Sequence, residues 1–160
     1  MITITENDKK FIKMACDIAS KNIDNEGGPF GAVIVKDGEV VSTGCNRVTA
    51  SNDPTAHAEV TAIRAACSKF QHFKLEGCVI YSSCEPCPMC LSAIYWAGIS
   101  KVYYANTKHD AAAIDFDDNF IYEEIAKPYK NRSIPLIHID DNQAINHFKK
   151  WSSKEDKIEY

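Results

Sequence analysis

At 160 residues the chain has the usual length of one domain, long enough for a real core but short for two. Its apolar share of 45% and charged share of 25% are those of an ordinary soluble globular protein, and no apolar run reaches the roughly 18 residues a membrane helix needs. A net charge of -4, with Lys9-Lys10 and Lys149-Lys150 as the only adjacent cations, lacks the basic footprint of a nucleic-acid binder, so a small-molecule partner is expected.

The first ten residues carry no apolar signal-peptide core, and a cytoplasmic protein is expected. Thr5 with Asp8 makes a capping signal for a first helix, in which Phe11, Ala15, Ile18 and Ala19 recur at helical spacing. That helix should end before Gly27-Gly28-Pro29. Residues 30–35 are apolar and β-branched, Asp37-Gly38 is a two-residue hairpin signal, and 39–43 form the return strand. Residues 44–53 are polar and loop-like. A helix follows, with Val60, Ile63, Arg64 and Cys67 turning at its spacing.

Residues 78–81 read as a buried strand. The helix after it carries Leu91, Ile94 and Tyr95 on one face and stops at Gly98. Then come a strand at 101–105, a helix at 119–126, a last strand at 134–139 and a last helix at 143–151. Helices alternating with strands after the first hairpin predict an α/β fold, three layers deep, around a mixed five-stranded sheet. No repeat or long linker divides the chain. A single domain over 1–160 is expected, with 127–135 as the only candidate hinge.

Seven cysteines, an odd number without an export signal, argue against a disulfide framework. Cys16, Cys45, Cys67 and Cys78 stand singly and read as free thiols of the core. Cys84, Cys87 and Cys90 are clustered. Cys87 and Cys90, three apart at a helix start, share a face. Pro88 suits the first helical position, where its missing N–H is not needed, and the residue before a proline suits the cap. Both thiols then sit at the positive end of a helix dipole, which favours metal-binding thiolates.

Upstream, His57 and Glu59 are two apart and would point roughly 200° apart on an ideal helix. The helix is therefore predicted to begin at about His57, freeing the imidazole to turn toward Glu59. A His57 in mid-helix would count against the whole site. One histidine and two cysteines leave zinc's fourth position for water, the catalytic arrangement. Cys84-x-x-Cys87 also has ligand spacing, and Cys84 would close the site and make it structural. Cys84 ends the strand arm on the far side of Pro86, however, and Glu59 would have no purpose beside a closed site. The open site is the expectation, and a zinc-stabilised binding protein is the alternative.

Zinc lowers the pKa of a water toward ~7, and Glu59 can carry the proton to a ring nitrogen and then to a departing amine. Hydrolytic deamination is the reaction class. His-x-Glu with a later Pro-Cys-x-x-Cys is the established signature of zinc nucleobase deaminases.

These residues resemble the cytidine deaminase-like superfamily, and more closely its bacterial guanine deaminases. The resemblance extends over residues 27–38 and 51–64, Cys84 through Cys90 with Ala93-Ile94-Tyr95-Trp96-Ala97, and Phe116-Asp117-Asp118 with Phe120-Ile121-Tyr122. It covers about three quarters of the chain, weakens over 139–154, and returns at Tyr160. It implies a cytidine deaminase-like fold, zinc on His57, Cys87 and Cys90 (one ion per subunit), and Glu59 as the proton shuttle. It implies guanine as substrate, with Asn46 and Asp118 on the polar edge of the purine and Phe30 sandwiching the ring with the zinc-binding histidine. Ala58 and Trp96 are implied as further substrate-binding residues. A homodimer is implied too, in which the segment from about residue 130 crosses over and Tyr160 closes the partner's site. The enzyme alternatives are a tRNA adenosine deaminase, disfavoured by the acidic balance, and a free cytosine deaminase, disfavoured by the resemblance alone.

Overall fold

A computed structural model describes residues 3–160, which form two compact units, one reaching to Phe120 and the other running from Ile121 to Tyr160. Helix α1, Glu6–Ile23, opens with the expected reciprocal cap: the Thr5 hydroxyl accepts from the Asp8 N–H, and the Asp8 carboxylate accepts from the Thr5 N–H. Strands β1, Gly31–Lys36, and β2, Glu39–Cys45, form the hairpin. Asp37 and Gly38 both have positive φ, 51° and 81°, which the two-residue turn demands. The stretch expected to be loop contains one helical turn, α2, Val48–Ser51.

Helix α3, Ala58–Phe70, turns Ala58, Ala62 and Ala66 inward, one turn apart. Strand β3, Cys78–Cys84, leads into α4, Pro88–Ala97, and then into β4, Lys101–Asn106. Helix α4 buries Cys90, Ile94 and Ala97; Tyr95, expected to share that inner face, is 78% exposed. A short helix not foreseen, α5, Lys108–Ala112, follows β4 with its own Thr107–Asp110 cap.

The sheet order is β2-β1-β3-β4, antiparallel except for the parallel β3–β4 pair. β1 is buried on both faces. Its Ala32 and Ile34 pack with the alanines of α3 and with Ile94 of α4, while Val33 and Val35 pack with Phe11 and Ala15 of α1. Helices therefore cover both faces of a mixed sheet, as an α/β fold requires. Tyr81 on β3 donates to the buried Asp8 carboxylate at 2.6 Å, tying the α1 face to the sheet.

The expected fifth strand is a correction. Among the described residues the sheet has four strands, and 134–139 form no ladder. The isoleucines there have strand propensity, but propensity measures fit to a neighbouring strand, and Pro135 removes one ladder donor. Ile134, Ile137 and Ile139 are 77–81% exposed in the single chain.

The unit from Ile121 holds most of α6, Asn119–Ala126, a 3-10 turn at Tyr129–Asn131, and α7, Asn146–Ser152. Arg132 braces it locally. Its guanidinium donates to the Ile125 carbonyl at 2.7 Å and to the Lys127 carbonyl at 3.1 Å. None of the residues from 121 on is fully buried.

Candidate metal centre and active site

The site forms at the carboxyl end of β3, beside the parallel strand β4. A β-α-β crossover leaves a crevice there, because the chain departs toward α4 on one side. Three hydrogen bonds pin the β3–α4 turn. The Glu85 N–H donates to the Asn106 carbonyl at 2.8 Å, Asn106 Nδ2 donates to the Ser83 carbonyl at 2.8 Å, and the Lys108 N–H donates to Glu85 Oε2 at 3.1 Å.

His57 is the N-cap of α3 with extended backbone, φ -68° and ψ 159°, as the two-residue spacing to Glu59 requires. Cys87 caps α4 with φ -64° and ψ 168°, and Pro88 occupies the first turn. Two helix starts thus face one point. The donor atoms of His57, Cys87 and Cys90 all lie within 4.8 Å of one another. His57 Nδ1 is 3.6 Å from Cys87 Sγ and 3.5 Å from Cys90 Sγ.

The electrostatics agree with a metal-ready set. Cys87 is held well below the usual thiol range, first by the hydrogen bond from the Cys90 thiol and then by His57. The same bond, with burial, keeps Cys90 protonated, and the Cys87 sulfur raises His57 above its usual range. A dication would hold both sulfurs as thiolates. One imidazole and two thiols, with no fourth protein donor in the cluster among the described residues, suit zinc with an open position.

Cys84 stands outside that cluster. Its thiol points to the Thr107 carbonyl, with sulfur 3.6 Å from the oxygen, and burial pushes it up to about 11. A thiol engaged by a backbone carbonyl away from the cluster is not placed to be a ligand.

Glu59 is 6% exposed, and burial raises its carboxyl above the usual range. The Ser82 hydroxyl donates to Glu59 Oε1 at 2.9 Å and fixes the carboxylate's orientation. Ser82 has no motif signature. Only its alternation with Ile80 on β3 places it on the α3 face of the sheet.

A cavity of about 400 Å³ opens onto the site, in the lower part of the range for small-molecule pockets. Phe30, Asn46, His57, Glu59, Cys87 and Asp118 all line it. Phe116, unremarkable by itself in sequence, meets Phe30 edge to face at 5.0 Å and 87°. Asp118 Oδ1 is buried without a hydrogen-bond partner, and burial and the charge on Cys87 raise that carboxyl. Asn46 is 6% exposed, and its Oδ1 accepts from the Val48 N–H at 3.2 Å.

Two expected residues, Ala58 and Trp96, do not line this cavity. Ala58 is fully buried as the first residue of α3. Trp96 is nine residues beyond Cys87, about 13 Å along a helix axis, and is 64% exposed. Tyr160 is 75% exposed.

Fold and site define a zinc-binding deaminase. Residues 5–106 match the cytidine and deoxycytidylate deaminase zinc-binding region, and the chain belongs to that family. Over 155 residues it is 50% identical to a guanine deaminase of Bacillus subtilis (strain 168), covering 96% of this chain and 99% of the relative. The X-ray structure of guanine deaminase from Bacillus subtilis superposes with a TM-score of 0.94 at 49% identity, covering 98% of this chain and 99% of that one. A tRNA-specific adenosine deaminase of Aquifex aeolicus is 34% identical over 143 residues, 88% of this chain and 81% of the relative. The mixed four-stranded sheet is thus a cytidine deaminase-like α/β fold, and zinc is the cofactor its family and donor set share.

Proposed function

We propose that this chain hydrolyses guanine to xanthine and ammonia, acting on a free purine base in the cytoplasm. The observation that carries the reading is Asp118 Oδ1, a buried acceptor without a partner in the wall of a base-sized cavity beside Glu59 and the metal ligands. Such an oxygen is costly until a donor reaches it, and guanine presents N–H groups along its edge.

His57, Cys87 and Cys90 would hold the metal, and Glu59 is the catalytic carboxylate. Zinc bound there would supply a water that ionises near neutral pH. Glu59 accepts the proton as oxygen adds to C2, and passes it to the adjacent ring nitrogen. The C2 hydroxyl then gives its proton to Glu59 and becomes the carbonyl of xanthine as the exocyclic C2–N bond breaks, and Glu59 hands that proton to the departing nitrogen, which leaves as ammonia. Ser82 keeps one carboxylate oxygen still while the other works.

Asn46 and Asp118 hold the polar edge of the base. Phe30 and His57 sandwich its ring, and Phe116 buttresses Phe30. Ala58, at the first position of α3, contributes a backbone N–H that has no helical partner. The test is ammonia release across guanine, adenine, cytosine, their nucleosides and tRNA. Guanine should dominate, and Asp118→Ala should raise KM for it about 10²-fold. Preferred turnover of tRNA or cytosine would sink the reading.

The single domain completes its site as a homodimer in which the segment from about residue 130 crosses to the partner. In support, the exposed Ile134, Ile137, Ile139 and Phe148 need an apolar surface that the single chain does not supply. Tyr160 closes the partner's site, and Trp96 lines the pocket completed there. Deleting the terminal residues through Tyr160 should lower kcat/KM about tenfold with zinc content unchanged. Unaltered kinetics after that truncation end the lid.

A further inference from the structure

Asn22, near the end of α1, is 4% exposed and belongs to no motif of the site. Its Nδ2 donates to two carbonyls, Gly28 at 2.8 Å and Asn46 at 2.8 Å. Its own carbonyl accepts from the Gly27 N–H at 2.9 Å. One buried amide therefore joins the chain entering β1 to the chain leaving β2. Gly28, Phe30 and Asn46, the residues it gathers, are walls of the cavity.

A second strap runs parallel, with the Asn46 N–H donating to the Phe30 carbonyl at 3.1 Å. Asn46 Oδ1 is meanwhile occupied by the Val48 N–H at 3.2 Å. With the oxygen engaged, the amide group of Asn46 offers its Nδ2 as the remaining donor. The register of the latch is tight. A Cβ on Gly27 would sit 2.2 Å from Asn22 Nδ2, and one on Gly28 would sit 3.0 Å from Asn46 Cγ. Neither glycine can widen without moving an asparagine.

We infer that Asn22 is a positioning residue for base recognition: it sets Asn46 against the Gly28–Phe30 wall and so fixes where the pocket presents its amide donor. This rests on the proposed contact of Asn46 with the base. Asn22 touches neither base nor metal. A residue that only closed the end of α1 would move stability and leave affinity for the base unchanged.

The experiment is a double-mutant cycle on the zinc-loaded protein with Asn22→Ala, Asn46→Ala and both together. It reads KM and kcat for guanine, zinc content and melting temperature. Asn22→Ala should raise KM about tenfold with kcat within about threefold, and should add nothing to KM in the Asn46→Ala background. Gly28→Ala is the second variant should Asn22→Ala not yield folded protein. Its backbone lies outside the positive-φ region, and the three atoms nearest to an added Cβ all belong to Asn46, so the push falls first on that residue; because Gly28 also lines the cavity, its raised KM counts only if it too disappears in the Asn46→Ala background. It should raise KM in the same way.

An unchanged KM for Asn46→Ala overturns the base contact, and the inference with it. A raised KM for Asn46→Ala with an unchanged KM for Asn22→Ala and Gly28→Ala overturns the inference alone. So does full additivity in the double variant, because Asn22 would then act other than through Asn46.

Discussion

Glu59→Gln is expected to hold one zinc per chain and to lose turnover by about 10²–10⁴-fold or more, the usual worth of a positioned proton carrier. The substitution is nearly isosteric. Gln Oε1 still accepts from Ser82, so the side chain should stay where the carboxylate was. His57 is placed by its own cap geometry at the start of α3, not by Glu59, and Cys87 and Cys90 come from α4. The metal site should therefore survive the change, and the proposed base contacts of Asn46 and Asp118 are untouched by it. The loss should fall on kcat, with KM near the wild-type value. A zinc-loaded Glu59→Gln protein with wild-type turnover would remove Glu59 from the mechanism.

Cys90→Ala is expected to lose zinc and activity together, with turnover down by at least about 10³-fold. Cys90 is fully buried beneath the cluster, and its removal leaves His57 and Cys87, too few protein donors for a stable zinc site. Cys84→Ala is the matched control. Its thiol engages the Thr107 carbonyl, so that variant should retain a full equivalent of zinc. Metal content of the two purified variants decides the ligand set. Zinc retained by Cys90→Ala but lost by Cys84→Ala would reverse the assignment.

The parts of this molecule legible in its sequence are those governed by neighbours within a few positions. Thr5 and Asp8 cap α1, Asp37-Gly38 turns the hairpin, and Pro88 starts α4 with Cys87 as its cap. Each follows from backbone sterics and orphan N–H groups, which act over one turn. The same rule placed His57 at a helix start from its spacing to Glu59 alone. Where the local signal is weak or depends on a partner, pattern alone does not predict the element. Helix α5 has a capping pair but only five residues, too few to show periodicity. Residues 134–139 have strand propensity but join no ladder among the described residues.

By itself, then, the sequence determined the chemistry: the donor types, their spacing at two helix starts, and a carboxylate beside an open metal position. Only the tertiary structure decided which groups sharpen that chemistry into a site. Ser82 meets Glu59 across 23 residues of chain, and Asn22 meets Asn46 across 24. No local rule links positions so far apart, because sheet register and helix packing bring them together. The same holds for Asp118, one oxygen of which becomes a buried acceptor without a partner only when the fold closes around it. Burial is a property of the whole chain, and it turns that ordinary aspartate into a group that needs a ligand.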